Sequence, residues 1–184
     1  MVRLNDWVVS GPLYGEGIVD DFDEFFVAHY ARVVGSLRLA CGDVSEAEDA
    51  AQEAFAKAMM RWRLVSVMDR PATWVYVVAV RELRRRARRR GELIGGAQGA
   101  PDATVPDPAG AVVTAAVIEA AVCALPARQR LAVVLRFHGD LTVPEVGRAM
   151  GCSAGTVKST LHAALDRLRV DLGDRGLEGA LDGP

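Results

Sequence analysis

Five polar residues in the last third of the chain, Ser153, Thr156, Lys158, Ser159 and His162, are spaced to share the outer face of a helix near its N-terminus. Their hydroxyl, ammonium and imidazole groups can hydrogen-bond base edges or phosphates, and Gly155 among them keeps the surface small enough for a major groove. A second concentration is arginine: Arg81, Arg84, Arg85, Arg86, Arg88, Arg89 and Arg90 are seven of ten consecutive residues. Like charges at i,i+4 destabilise a helix, so a row this dense calls for a polyanion to neutralise it. Just upstream, Trp74 and Tyr76 are rings on which unpaired bases can stack, with core packing the alternative for either. A third set, Glu48, Asp49, Gln52 and Glu53, makes an acidic patch that in isolation reads as a solvated helix face, the alternative being a docking site. All three sets serve recognition. No P-loop, glycine-rich dinucleotide turn, nucleophile elbow or metal-ligand spacing occurs, so no catalytic residue, cofactor or metal is expected.

The first set needs a scaffold, and Leu141 to Arg169 supplies one as two helices joined by a short turn. Thr142 and Glu145 form a capping box, Pro144 sits where a missing N–H costs little, and Val143, Val146, Ala149 and Met150 give one apolar face. Gly151 supplies the left-handed residue that ends this helix, and Ser153 can cap the next, whose Val157, Leu161, Ala164, Leu165 and Leu168 face inward. A plain helical hairpin is the alternative to a DNA-binding helix-turn-helix for this segment taken alone.

The other sets need helices too. Phe22, Phe25, Phe26, Val33, Val34, Leu37 and Ala40 repeat at helical spacing up to Gly42. Ser45 with Glu48 reads as a capping box for a second helix, with Ala47, Ala50, Ala51, Ala54, Phe55, Ala58, Met59 and Trp62 inward. A loop over 64–72 follows, and Thr73 is positioned to cap the arginine helix. Beyond a segment over 91–110 with five glycines and three prolines, helices resume from Ala111 and again after Pro126. As a flexible coil that segment spans about 25 Å, which separates two modules by a domain's width.

Composition agrees with an all-α chain of two helical domains. Of 184 residues, 51% are hydrophobic but only 6% aromatic, so the apolar content is mostly Ala, Val and Leu. The net charge of −2 argues against indiscriminate coating of nucleic acid, yet it is unevenly spread. Residues 20–53 carry net −7 and residues 54–90 net +9, an asymmetry that suggests two different partners. Cys41, Cys123 and Cys152 form no CxxC pair and read as buried free thiols, while His29 and His138 show no ligand spacing and read as packing or surface residues. The first twenty residues lack a signal-peptide core and the longest apolar run, Trp74–Val80, is too short to span a bilayer, so the cytoplasm is the expected compartment.

Taken together, the two halves resemble an extracytoplasmic-function (ECF) sigma factor of the sigma-70 family, over about residues 22–172. ALPARQRLAVVLRFHGDLTVPEVGRAMGCSAGTVKSTLHAALDRLR is similar to the family's sigma-four domain, AEDAAQEAFAKA to its core-polymerase-binding helix, and RPATWVYVVAVRELRRRARRR to the helix that melts and reads the −10 element. The resemblance implies a tail over 1–19, a sigma-two domain over 20–90, a linker over 91–110, a sigma-four domain over 111–172 and a second tail over 173–184. It implies that Glu48, Asp49, Gln52 and Glu53 dock on core RNA polymerase. Trp74, Tyr76, Arg81, Arg84, Arg85, Arg88 and Arg89 would meet the −10 strand, and Ser153, Thr156, Lys158, Ser159 and His162 the −35 element. Two departures stand out: Arg81 where the family commonly has Asn, and Thr160 where it commonly has Arg. Core polymerase and promoter DNA are the implied partners, with an anti-sigma factor as a candidate third. The rival is a stand-alone helix-turn-helix regulator of the LuxR type, which would bind duplex DNA without polymerase; no βα-repeating receiver precedes the hairpin here.

Overall fold

The computed structural model describes residues 16–89, 91 and 111–173, and every element among them is helical. The first unit holds α1 (Glu16–Cys41), α2 (Val44–Met60), the single turn α3 (Trp62–Val65) and α4 (Pro71–Arg89). The second holds α5 (Ala111–Ala124), α6 (Ala127–Val133), α7 (Val143–Met150) and α8 (Ala154–Gly173). Residues 1–15, 90, 92–110 and 174–184, which include most of the expected tails and linker, lie outside the described residues.

The first unit is organised by α2, whose inward face is Ala47, Ala50, Ala51, Ala54 and Ala58, all fully buried. Methyl side chains let the α1 and α4 backbones come close, and burial of a continuous apolar face gives the helices most of their stability. Bulk is concentrated at one end, where rings from α1 meet Phe55 of α2 and Trp62 of α3. Phe26 packs edge-on against Phe55 at 5.1 Å, and Phe22 packs edge-on against Trp62 at 5.3 Å. Across the α2–α4 contact, the buried Glu82 carboxylate accepts from Lys57 and from Arg85.

Local signals set the helix ends, with some differences from the expectation. α1 begins at Glu16, ahead of the Phe22 start and inside the stretch expected as a tail. Its end is as expected: Gly42 takes a left-handed φ of 78°. Asp43, not Ser45, caps α2, accepting from the Glu46 N–H at 3.0 Å. It stands directly after Gly42, so the chain enters α2 at the first residue able to take the cap. α4 starts at Pro71 rather than after Thr73, and part of the expected loop before it is the turn α3. In the second unit, α6 widens into a π-helical turn over Val134–His138, and Gly139 follows where an added Cβ would lie 2.8 Å from the Leu135 carbonyl. The three cysteines are half-buried and unpaired, which corrects the expectation of buried thiols.

The two units pack on one another through a continuous apolar cluster and a set of polar links. Arg130, buried in α6, donates to the Ala40 carbonyl at 3.1 Å and the Cys123 carbonyl at 2.7 Å, closing the ends of α1 and α5 together. Ser36 of α1 meets the Tyr76 hydroxyl at 3.0 Å and His138 Nδ1 at 2.7 Å. Arg32 donates to the His138 carbonyl at 2.9 Å, and Arg38 pairs with Glu119 at 2.9 Å on the rim. Burial, with Arg32 and Arg38 adding positive charge, lowers the His138 pKa and disfavours its charged form.

Truncating Phe55→Ala should cost about 3–5 kcal/mol, since a fully buried ring leaves a cavity that rigid helices fill poorly; a denaturant titration reads it as a lower midpoint. Burial alone would raise the Glu82 pKa, but bonds from Lys57 and Arg85 outweigh it and hold it below the ordinary 4.5. With a folded-state value below the unfolded one, Glu82 contributes stability above that ordinary value and loses it as pH falls through its own. Glu82→Gln should therefore flatten the acid limb of the stability–pH curve relative to wild type. A parallel acid limb would contradict this.

Candidate nucleic-acid interface

The helix-turn-helix is built on α7 and α8. Glu145 reaches back to the Thr142 N–H at 2.7 Å and accepts from the Thr142 hydroxyl at 2.8 Å, which sets the start of α7. Gly151 ends it at φ 64°, a conformation that costs other L-residues energy. The Ser153 hydroxyl accepts the Thr156 N–H at 3.1 Å and so starts α8. Val157, Leu161, Ala164, Leu168 and Leu172 are buried against the rest of the unit. On the opposite side Ser153, Lys158, Ser159 and His162 are exposed and Thr156 is half-exposed. All five residues expected at a DNA face are thus brought onto one outer surface at the head of one helix. The Thr160 hydroxyl bonds back to the Thr156 carbonyl at 2.7 Å, which turns it toward its own helix.

On α4, Arg81, Arg84, Arg85, Arg88 and Arg89 line one depression of about 480 Å³. Their partners differ. Arg85 is held by Glu82 at 2.6 Å, while Arg84 is half-buried with its nearest acceptor, the Ala149 carbonyl, at 3.5 Å. Burial and the nearby Arg128 lower the Arg84 pKa, yet a guanidinium remains charged at neutral pH. Such a row is a surface of concentrated positive charge whose energy falls when a polyanion arrives. Further up the helix, Trp74 is half-buried and faces a cleft. Tyr76 corrects the expectation of a ring on the melting surface: it is 2% exposed, with its hydroxyl on Ser36. Two residues, roughly 200° of helical phase, separate the two rings, so Trp74 faces outward along the arginine stripe while Tyr76 faces α1.

The acidic set sits on the outer face of α2, with Glu48, Asp49 and Gln52 exposed and Glu53 half-exposed. Asp49 pairs with Arg86 at 2.7 Å and Glu53 with Lys57 at 3.2 Å. Acidic and basic surfaces therefore adjoin across the α2–α4 contact.

Sequence reasoning missed a group at the head of α4. Arg70 Nη1 donates to Glu145 Oε2 at 2.6 Å and Nη2 to the Asp140 carbonyl at 2.6 Å, while the Thr73 hydroxyl donates to Glu145 Oε1 at 3.1 Å. Glu145 is 5% exposed; burial would raise its pKa, but bonds from Thr142 and Thr73 and the charge of Arg70 lower it, so it stays ionised. The group closes one end of a cleft of about 740 Å³ between the units, lined on one side by Trp74, Val77, Val78 and Arg81 and on the other by Glu145 and Arg148. Arg70 directly before Pro71 was the one local signal; its partner lies 75 residues away.

The sequence and the fold have known relatives. Residues 25–92 match Sigma-70 region 2, and residues 121–170 match Sigma-70, region 4. An RNA polymerase sigma-E factor of Streptomyces avermitilis is 33% identical, the match covering 88% of this chain and 90% of that one. The ECF RNA polymerase sigma factor SigL of Mycobacterium tuberculosis is 30% identical, over 77% of this chain and 82% of its own. In structure, the sigma factor RpoE of Bartonella quintana, solved in complex with the anti-sigma factor NepR, aligns with a TM-score of 0.64 at 21% identity, over 83% of this chain and 97% of that chain. A helix-turn-helix with its outer face free, an arginine helix beside an acidic one, and both region matches in order lead to one assignment: the chain belongs to the sigma-70 family, among its extracytoplasmic-function sigma factors.

Proposed function

We propose that this sigma factor divides its work among the three surfaces described above. A sigma factor binds core RNA polymerase and directs it to promoters; no catalysis of its own is involved. In this reading Glu48, Asp49, Gln52 and Glu53 dock on the polymerase. Trp74 and the arginines Arg81, Arg84, Arg85, Arg88 and Arg89 hold the opened −10 strand and its phosphates. Ser153, Thr156, Lys158, Ser159 and His162 enter the −35 major groove. Tyr76 acts beneath this surface, fixing α4 to α1. The working domains are taken as residues 20–90 and 111–172 with 91–110 between them. Among the described residues no helix is long and apolar enough to cross a membrane, in keeping with work in the cytoplasm. An anti-sigma factor fits the same reading, as the Bartonella quintana protein was solved with one.

The single observation that supports this division most directly is the opposition of charge on one bundle. The α2 face is acidic and the stripe on α4 basic, so one surface cannot serve both a protein clamp and a polyanion. Recognition then proceeds by binding alone: phosphate contacts set the register, the α8 face reads base edges, and captured unpaired bases tip the duplex open. Arg81 adds a positive charge among these contacts, and the back-bonded Thr160 removes a candidate −35 phosphate contact.

The test is to mix purified protein with bacterial core polymerase, follow co-elution by size exclusion, and assay run-off transcription on promoter fragments. Co-elution with a discrete transcript is the expected result. Tight duplex binding by the protein alone, without co-elution, would favour a stand-alone regulator. Asp49→Arg should abolish co-elution while circular dichroism stays helical, because it reverses charge at the centre of the docking face; unchanged co-elution would remove α2 from the interface. Lys158→Ala should weaken promoter binding evenly across sequences and reduce the salt slope by about one unit, as for a lost phosphate contact. A loss confined to one base pair would make Lys158 a base reader.

A further inference from the structure

We propose that Arg70 and Thr73 at the head of α4 form a further phosphate-binding site for the promoter strand, and that the Glu145 carboxylate plugs it in the free chain. The inference rests on the sigma-factor reading of the α4 stripe and adds to it a contact site and a means of control.

Arg70 and Thr73 aim a guanidinium N–H and a hydroxyl at one point, and both are satisfied there by a single carboxylate, at 2.6 and 3.1 Å. Charge-assisted donors of this kind take carboxylate and phosphate oxygens alike. The site also lies in line with the stripe already assigned to the strand. Positions 70, 74, 77, 81, 84 and 88 follow one another at intervals of four and three, which keeps them on one side of the helix. Arg70 lies about 16 Å along the axis from Arg81 at the helical rise, room for backbone phosphates between them. Trp74 and Val77 wall the cleft that joins the two.

The plug comes from the other unit. Glu145 belongs to the helix-turn-helix, so a phosphate can replace it only if the two units separate, and while they are closed the strand is excluded from the cleft. Separation does not strand a buried charge: Glu145 keeps the Thr142 N–H and hydroxyl, with Arg148 at 3.8 Å. The Arg70–Glu145 link is therefore exchangeable. One acid serves as the cap of α7 in both states and as the occupant of the phosphate site in one of them.

Two variants that break the same ion pair should act unequally on strand binding by the full-length chain. The probe is a fluorescein-labelled single-stranded oligothymidylate of about twelve nucleotides, within the usual site size. Glu145→Gln preserves the capping box, since Gln serves there as well as Glu, and it should raise affinity about tenfold, as expected where the open form holds about a tenth of the molecules. Arg70→Ala also opens the units but removes the phosphate contact, so its gain in affinity should be smaller than that of Glu145→Gln, and it should reduce the salt slope by about 0.7 per lost phosphate contact. Both should increase the radius of gyration in small-angle scattering. Glu119→Arg, which sets like charges across the rim pair Arg38–Glu119, opens the same interface without touching Glu145 and should also raise affinity. Equal shifts for Glu145→Gln and Arg70→Ala, or unchanged scattering, would overturn the proposal. Opening by inorganic phosphate alone would reassign the site to a free anion and overturn it as well. Run-off transcription by the wild-type chain separates this outcome from the parent reading: transcription with both variants shifting equally sinks the plug alone, whereas unequal shifts without transcription sink the proposed division of surfaces.

Discussion

A helix with its arginines crowded at one end must be held together by something other than its own charge. In α4 that support is mechanical at one end and electrostatic along the other. The first half is buried through Val75, Tyr76, Ala79, Val80 and Leu83 against the alanine face of α2 and the side of α1. The second half is kept helical by counter-charges placed across the contact. Glu82 takes Arg85 and Lys57 together, and Asp49 takes Arg86. What remains, Arg81, Arg84, Arg88 and Arg89, is aimed at one depression. Without the α2 contact the like-charge repulsion would fray the helix from its C-terminal end. The packing of alanines in the interior is thus what makes a concentrated phosphate-binding surface compatible with a stable helix.

The same economy of acids recurs at Glu145. A carboxylate buried to 5% exposure is tolerated only when its oxygens are fully engaged, and here the cap of its own helix and two donors from the other unit engage them. The second unit consequently has a rigid N-terminal start to α7, a fixed left-handed stop at Gly151, and an α8 whose outward face is set by what is buried behind it. Recognition chemistry on α8 follows from core packing on its reverse side.

What could be read from the chain divides along sequence distance. The helix-turn-helix was legible in detail because each of its boundaries has a local cause: Thr142 with Glu145, Gly151, Ser153. The inward residues of α2 and α8 follow from helical periodicity. The start of α2 was misread because Asp43–Glu46 and Ser45–Glu48 present the same spacing, and only the chain's direction after Gly42 decides between them. For Tyr76 the sequence leaves a DNA-facing ring and core packing both open, and what decides for the core is its hydroxyl partner Ser36, 40 residues away, beyond any local pattern. The packing of the two units could not be read at all, since a flexible-coil estimate for the linker gives reach and no orientation. Arg70, Thr73 and Glu145 each looked ordinary alone; only their convergence gives them meaning.

The polar links between the units, Ser36 with His138, Arg130 with the Ala40 carbonyl, Arg38 with Glu119, and Arg70 with Glu145, each draw one member from either half. Such a division bears on how freely the halves of sigma factors can be exchanged. A chimaera joining the first half of this chain to the second half of a relative inherits only one side of every link made between side chains. The Arg130 link differs, because its acceptor is a backbone carbonyl that any residue supplies. Compatibility at the seam is therefore governed by a few side-chain positions far from either reading surface, and a graft that preserves those positions preserves the resting assembly even where the DNA-facing residues are replaced wholesale.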